Sequence, residues 1–144
     1  MSMPSDSPLI TPIQQACAVP LRRFADGLEV CLITSMGRRR WIFPKGVVDP
    51  GETHSSTALK EAREEAGIEG LLLQPALGEY GDYKWNVPLT VTVFAMSVER
   101  ESDTWLEAGL RRRRWAALEE ADALLTDQAL REMLALAAKR FKGG

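Results

Sequence analysis

Apolar and polar positions alternate along much of the chain, and turn-forming clusters interrupt the alternation. Residues 89–98 show it most plainly. Leu89, Val91, Val93 and Ala95 fall on one side, and Thr90, Thr92, Phe94 and Met96 on the other, which is the two-residue period of a strand. Gln15–Leu21 and Leu28–Thr34 read as strands joined by the turn Ala25-Asp26-Gly27, and Leu71–Tyr80 reads as another. Pro20 has no backbone N–H to donate, so it puts its strand at a sheet edge or at a bulge. Trp41-Ile42-Phe43 forms a short aromatic strand, turned by Pro44-Lys45-Gly46, and Leu110–Trp115 forms a short basic one.

The period changes to a helical one in three places. A helix starts near Ser55 or Ser56, both N-cap residue types, and stops at Gly67. Leu118–Leu125 and Asp127–Lys139 are helical, and Leu130, Met133, Leu134 and Ala137 make the apolar stripe of the last helix. The order β-β-β-α-β-β-β-α predicts a mixed sheet with helices packed on its faces. Residues 1–13, rich in Ser and Pro, are expected to form a flexible tail, and 14–142 a single domain without internal repeat or linker.

Composition narrows the class. The chain has 144 residues, 45% of them hydrophobic and 26% charged, which suits one globular domain with its own core. A net charge of −2 argues against a general surface for extended nucleic acid or membrane, while leaving room for a local basic patch. No run approaches the ~18 apolar residues of a membrane span, and no signal peptide is apparent. Cys17 and Cys31 sit in apolar runs without metal-ligand spacing, so reduced core thiols of a cytoplasmic protein are expected.

The candidate chemistry lies on the first helix. With Glu61 at 0° on a helical wheel, Glu64 falls at about −60° and Glu65 at about +40°, so three carboxylates share one side. Like charges at this spacing repel, and a divalent cation is their natural neutraliser. Ala58, Ala62, Ala66 and Leu59 form an adjoining small apolar face suited to packing on a sheet. Lys60 lies four residues before Glu64, within ion-pair reach, and Pro50-Gly51 can fold Glu52 back beside Lys60.

Residues 46–68 resemble the Nudix box, Gly-x5-Glu-x7-Arg-Glu-apolar-x-Glu-Glu-x-Gly-apolar. Gly46, Glu52, Glu61, Ala62, Glu64, Glu65, Gly67 and Ile68 fall in register, and Lys60 stands where the family usually has arginine. Lysine keeps the charge but not the planar two-pronged hydrogen bonding. The run Arg40-Trp41-Ile42-Phe43-Pro44-Lys45-Gly46 and the later Arg112-Arg113-Arg114-Trp115, followed by Leu118-Glu119-Glu120-Ala121, are similar to two Nudix subgroups. These are the diphosphoinositol polyphosphate phosphohydrolases and the diadenosine polyphosphate hydrolases.

The resemblance implies an α/β/α sandwich around a mixed sheet, and a pyrophosphohydrolase dependent on Mg²⁺ or Mn²⁺. It makes Glu61, Glu64, Glu65 and the carbonyl of Gly46 the candidate metal ligands, with one of the glutamates as candidate general base. In some Nudix enzymes the base lies in a later loop, which adds Glu79 and Asp82 as weaker candidates. Glu52, Lys60 and Gly67 have structural roles in the motif. The expected substrate is an anionic small molecule, diphosphoinositol polyphosphate or diadenosine polyphosphate, acted on by a monomer or homodimer. The alternatives are another nucleoside diphosphate derivative (ADP-ribose, a nucleotide sugar, the 5′ end of an RNA) and a non-catalytic binding module, against which the full set of box glutamates weighs.

Basic residues form a second constellation. Arg40 and Lys45 flank the box; Arg22, Arg38, Lys84 and Arg113 are further candidates for phosphate contact. In the run Arg111–Arg114, strand alternation would point two side chains to each face. Trp85 is a candidate for stacking on a base, Trp41 and Trp115 are expected in the core, and His54 is expected at the surface near the helix start.

Overall fold

In the computed structural model, which describes residues 11–143, the elements run β1 (Ile13–Phe24), β2 (Gly27–Thr34), β3 (Trp41–Ile42), β4 (Lys45–Val47), α1 (His54–Ala66), β5 (Ile68–Lys84), β6 (Val87–Glu101), β7 (Arg113–Ala117), α2 (Leu118–Leu124) and α3 (Gln128–Gly143). The first ten residues of the expected tail lie outside the described residues, and β1 starts one residue inside that tail, at Ile13. One sheet holds all seven strands in the order β3-β2-β1-β6-β5, with β4 also on β1 and β7 also on β2. β1 and β6 are parallel, and the other pairs are antiparallel.

Strand alternation divides the interior into two cores, one on each face of the sheet. Cys17, Val19 and Leu21 of β1 join Val91, Val93 and Ala95 of β6 beneath α2 and α3, with Leu130, Met133, Leu134 and Ala137 as the α3 contribution. Ala16 and Ala18 join Phe94 and Met96 on the opposite face beneath Ala58, Ala62 and Ala66 of α1. The three alanines let α1 approach the sheet closely, and that approach fixes its glutamates relative to β1 and β4. This is the expected α/β/α sandwich. Both cysteines are buried and free, and burial pushes each thiol up to about 12. Trp41 and Trp115 are partly buried against the two cores.

Four expectations need correction. Pro20 lies in β1, the central strand of the sheet, not at an edge. Ala18 N–H bonds the carbonyl of Pro44, so the N–H that Pro20 lacks would point to the same side. There β1 pairs with β4 up to Cys17 and with β2 from Leu21, and Pro20 falls in the gap. The Pro44-Lys45-Gly46 turn is in part a strand: Lys45–Val47 pairs with Gln15–Cys17. The fifth strand runs through to Lys84, with register shifts after Glu69 and Leu73. The basic strand begins at Arg113, because Leu110 and Arg111 are turned back by N–H bonds to the carbonyl of Glu107.

Candidate active site

α1 is capped at both ends. Thr53 is its N-cap, one residue before His54, and Thr53 and Ser56 satisfy each other's backbone N–H groups in a capping box. Gly67 ends the helix at φ 69°, where its N–H bonds the carbonyls of Ala62 and Arg63. A Cβ on Gly67 would also meet the ring of Trp105 at 2.9 Å. Glu52 folds back as expected: Lys60 Nζ donates to both its oxygens at 3.0 Å, and Thr57 Oγ1 donates to Oε1 at 3.1 Å. The Lys60 hydrogen bond holds the Glu52 carboxyl below its ordinary pKa, and Glu52 in turn raises that of Lys60. Lys60 thus pairs with Glu52, and more distantly with Asp49 at 3.7 Å, instead of Glu64.

A cavity of about 430 Å³ opens beside the helix, lined by Glu65 and Arg111 at the α1 side and by Tyr80, Asp127 and Leu130 at the α3 side. Glu65 is 6% exposed. Its Oε1 accepts from Lys45 N–H at 3.1 Å, and its Oε2 faces Arg111 Nη2 at 3.3 Å. Burial pushes its pKa up to about 8, and the Glu61 charge pushes the same way. Arg111 opposes this without winning, since its guanidinium is shared with Glu107 Oε1 at 2.8 Å and the Thr34 carbonyl at 3.0 Å. Burial and the neighbouring Glu64 and Glu107 charges also raise Glu61, which shares a hydrogen bond with Glu65.

These donors fit a hard divalent cation. All are oxygens, two of the carboxyls hold protons that a cation would displace, and a Cβ on Gly46 would collide with the Glu61 carboxyl. Among the described residues no three such groups converge into a ready-made cage. Magnesium commonly keeps several waters and takes one or two carboxylates, so a cage is not required. Glu64 differs from its neighbours: it lines a shallower groove with Trp105 and Thr104 on the outer side of the helix.

A model of the NUDIX domain matches residues 12–137, most of the chain. The chain belongs to the Nudix family. Relatives include Nudix hydrolase 4 of Arabidopsis thaliana, 33% identical over 74% of this chain and 52% of its own length. The asymmetrical bis(5'-nucleosyl)-tetraphosphatase of Sus scrofa is 34% identical over 72% of this chain and 73% of its own length. Nudix hydrolase 12 of Arabidopsis, named as mitochondrial, is 35% identical over 68% of this chain and 52% of its own length. The chain spans about half the length of these Arabidopsis relatives. Among solved structures, a C. elegans Ap4A hydrolase superposes with a TM-score of 0.75 at 23% identity, covering 92% of this chain and 98% of its own, a likeness of fold.

The Nudix box helix thus brings Glu61, Glu65 and Gly46 to one place, with Glu64 beside them. Among the basic candidates, Arg40, Lys45 and Lys84 line the cavity. Lys45 Nζ donates to the neutral Gln15 Oε1 at 2.7 Å, and burial lowers its pKa. The other three are engaged elsewhere. Arg22 pairs with Glu29 and Glu101 and stacks 3.8 Å over Trp115. Arg38 donates to the carbonyls of Gly109 and Leu110. Arg113 bonds the carbonyls of Ala66 and Ser102 over the Trp105 ring. Asp82 lines the cavity, while Glu79 does not, and Trp85 stands 87% exposed at the β5–β6 hairpin tip, outside the lining. His54 lies near the surface beside Gln14.

The expected alternation does not describe Arg111, which lies in a loop and is 8% exposed. Glu107 and Trp105 were not expected at all. Trp105 Nε1 bonds the Glu65 carbonyl at 2.9 Å and steadies the end of the Nudix helix. The one signal for this loop was Glu107 four residues before Arg111, a spacing that pairs opposite charges in a single turn.

Proposed function

We propose that this chain is a pyrophosphohydrolase acting on a phosphoanhydride of a dinucleoside polyphosphate, through a single domain over residues 14–142. One observation carries the reading. A buried carboxyl of raised proton affinity, Glu65, lines the same cavity as Lys45, Arg40 and Lys84. Among the described residues none of those three cations has an ion-pair partner within 4 Å. Free cations opposite an acid cluster suit a polyphosphate chain held at one end by a carboxylate-bound metal and along its length by ammonium and guanidinium groups.

Glu61 and Glu65 hold the cation, with Glu64 and the Gly46 carbonyl as the neighbouring donors. Bound Mg²⁺ or Mn²⁺ supplies neutralisation of the phosphate charge and a lowered pKa for attacking water. Lys45 and Arg40 orient the phosphates. Water oxygen bonds to phosphorus, the bridging P–O bond breaks, and the proton leaving the water passes to a carboxylate at the α1 end. Arg111 keeps Glu65 turned into the cavity. Relatives named as bis(5'-nucleosyl)-tetraphosphatases favour the dinucleoside class over diphosphoinositol polyphosphate. Two buried free thiols fit a reducing compartment such as the cytoplasm.

The test is a panel with Mg²⁺: diadenosine tetraphosphate, diphosphoinositol polyphosphate, ADP-ribose, a nucleotide sugar and capped RNA. Turnover of diadenosine tetraphosphate above the others is expected. Binding of nucleotide without product release from any substrate would leave only a binding module.

A further inference from the structure

The cavity has a feature that polyphosphate binding does not use. Two of its lining residues are acids, Asp82 from β5 and Asp127 just before α3. Each spends one oxygen on a backbone N–H: Asp82 Oδ1 accepts from Tyr83 at 2.8 Å, and Asp127 Oδ1 accepts from Ala129 at 2.9 Å. Among the described residues neither has a cation within 4 Å, although Arg40, Lys45 and Lys84 line the same cavity. Both act on the Tyr80 phenol, whose pKa burial and their charges raise, so its proton stays in place. The cavity also includes Phe43, Leu89 and Leu130, apolar surface that offers nothing to a phosphate.

Carboxylates without cation partners are poor neighbours for phosphate and good acceptors for hydroxyl or amino donors. We infer that the Asp82–Asp127 end of the cavity takes the uncharged nucleoside part of the substrate. Its sugar hydroxyls or base amino group donate to these two carboxylates, which reject a second phosphate cluster. The inference rests on the dinucleoside reading and deepens it by naming the residues that set substrate class. An inositol ring carrying phosphates all round would bring phosphate to this end in any orientation, whereas a nucleoside brings donors and an apolar ring.

The test compares wild type with Asp82→Asn and Asp127→Asn. Asparagine keeps a side-chain oxygen for the Tyr83 and Ala129 N–H groups, and Asn is a good helix cap, so unfolding midpoints should hold. For diadenosine tetraphosphate, each variant should lose about tenfold in kcat/KM, mostly through KM, the loss expected for one charge-assisted hydrogen bond. For diphosphoinositol polyphosphate, kcat/KM should stay level or rise. Equal changes for both substrates would overturn the inference, because the acids would then only tune net charge.

Calorimetric binding of adenosine and of 2′-deoxyadenosine to the metal-free protein reads the subsite without turnover. Weaker adenosine binding in Asp127→Asn is expected, and unchanged binding in both variants would contradict the subsite. A loss confined to adenosine assigns the contact to the ribose, and a loss with both nucleosides assigns it to the base or the 3′ hydroxyl. Nucleoside binding that depends on the acids, together with no hydrolysis of any dinucleoside polyphosphate, would sink the proposed reaction while leaving the subsite standing.

Discussion

The two ends of the cavity are built differently. At the α1 end, Glu65 and Arg111 are nearly sealed from solvent and tied to Lys45 N–H, Glu107 and the Thr34 carbonyl. At the hairpin end, Tyr83 is 73% exposed and Trp85 87% exposed, and Asp82 is held only through its neighbour's N–H. Chemistry at phosphorus needs groups fixed before the substrate arrives, and burial with a full set of partners does that. Choice among substrates needs groups free to be satisfied by the ligand, and exposure with unspent acceptors does that.

The largest expected effect is at the fixed end. Glu65→Gln should lower kcat by about 10²–10³-fold with little change in the circular dichroism spectrum. Activity within a few-fold of wild type would remove Glu65 from the metal site. Next comes Arg111→Leu, which strips partners from Glu65 and Glu107 together. Removing one member of a buried ion pair costs about 3 kcal/mol or more, to be read from the denaturant midpoint. An unchanged midpoint would show that the α1 end is not clamped as described.

The pH dependence is smaller and has a definite sign. Glu65 holds its proton up to about pH 8 when folded, against 4.5 as its ordinary value. The folded, metal-free protein therefore binds more protons than the unfolded chain between these values, and its stability falls as pH rises through that window. A cation must displace the proton, so Mg²⁺ affinity should rise by up to about tenfold per pH unit toward pH 8 and then level off. A flat profile between pH 5.5 and 8 would contradict the raised value. At the loose end, Trp85→Ala should change KM by less than about twofold, because the ring lies outside the cavity and exposed substitutions are usually mild. Lys60→Arg should be milder still, since its exposed pair with Glu52 survives the exchange.

Much of the sandwich was legible in the chain. The β6 alternation and the α3 stripe assign residues to the two cores correctly, because one face of each element is buried and a two- or 3.6-residue period survives in the sequence. The box glutamates and Gly67 were legible for the same reason: local spacing on one helix fixes them. Lys45–Val47 as a strand was hidden, because its partner Gln15–Cys17 lies thirty residues away and Pro44 signals a turn. Arg22, Arg38 and Arg113 were read by charge alone, and charge does not say which acid or carbonyl will capture a guanidinium. Arg111 and Glu107 were hidden for a related reason. They meet Glu65 only after a loop folds back across α1, and no pattern along 102–112 encodes that approach.

The central claim is that Glu65 lies in a cation site on the α1 end of the cavity. Titration of Mn²⁺ into wild type and Glu65→Gln at pH 8, followed by the electron paramagnetic resonance of free Mn²⁺, tests it most directly. Saturable binding in wild type, weakened by about tenfold or more in the variant, is the expected result. Equal affinity in the two proteins would contradict the claim.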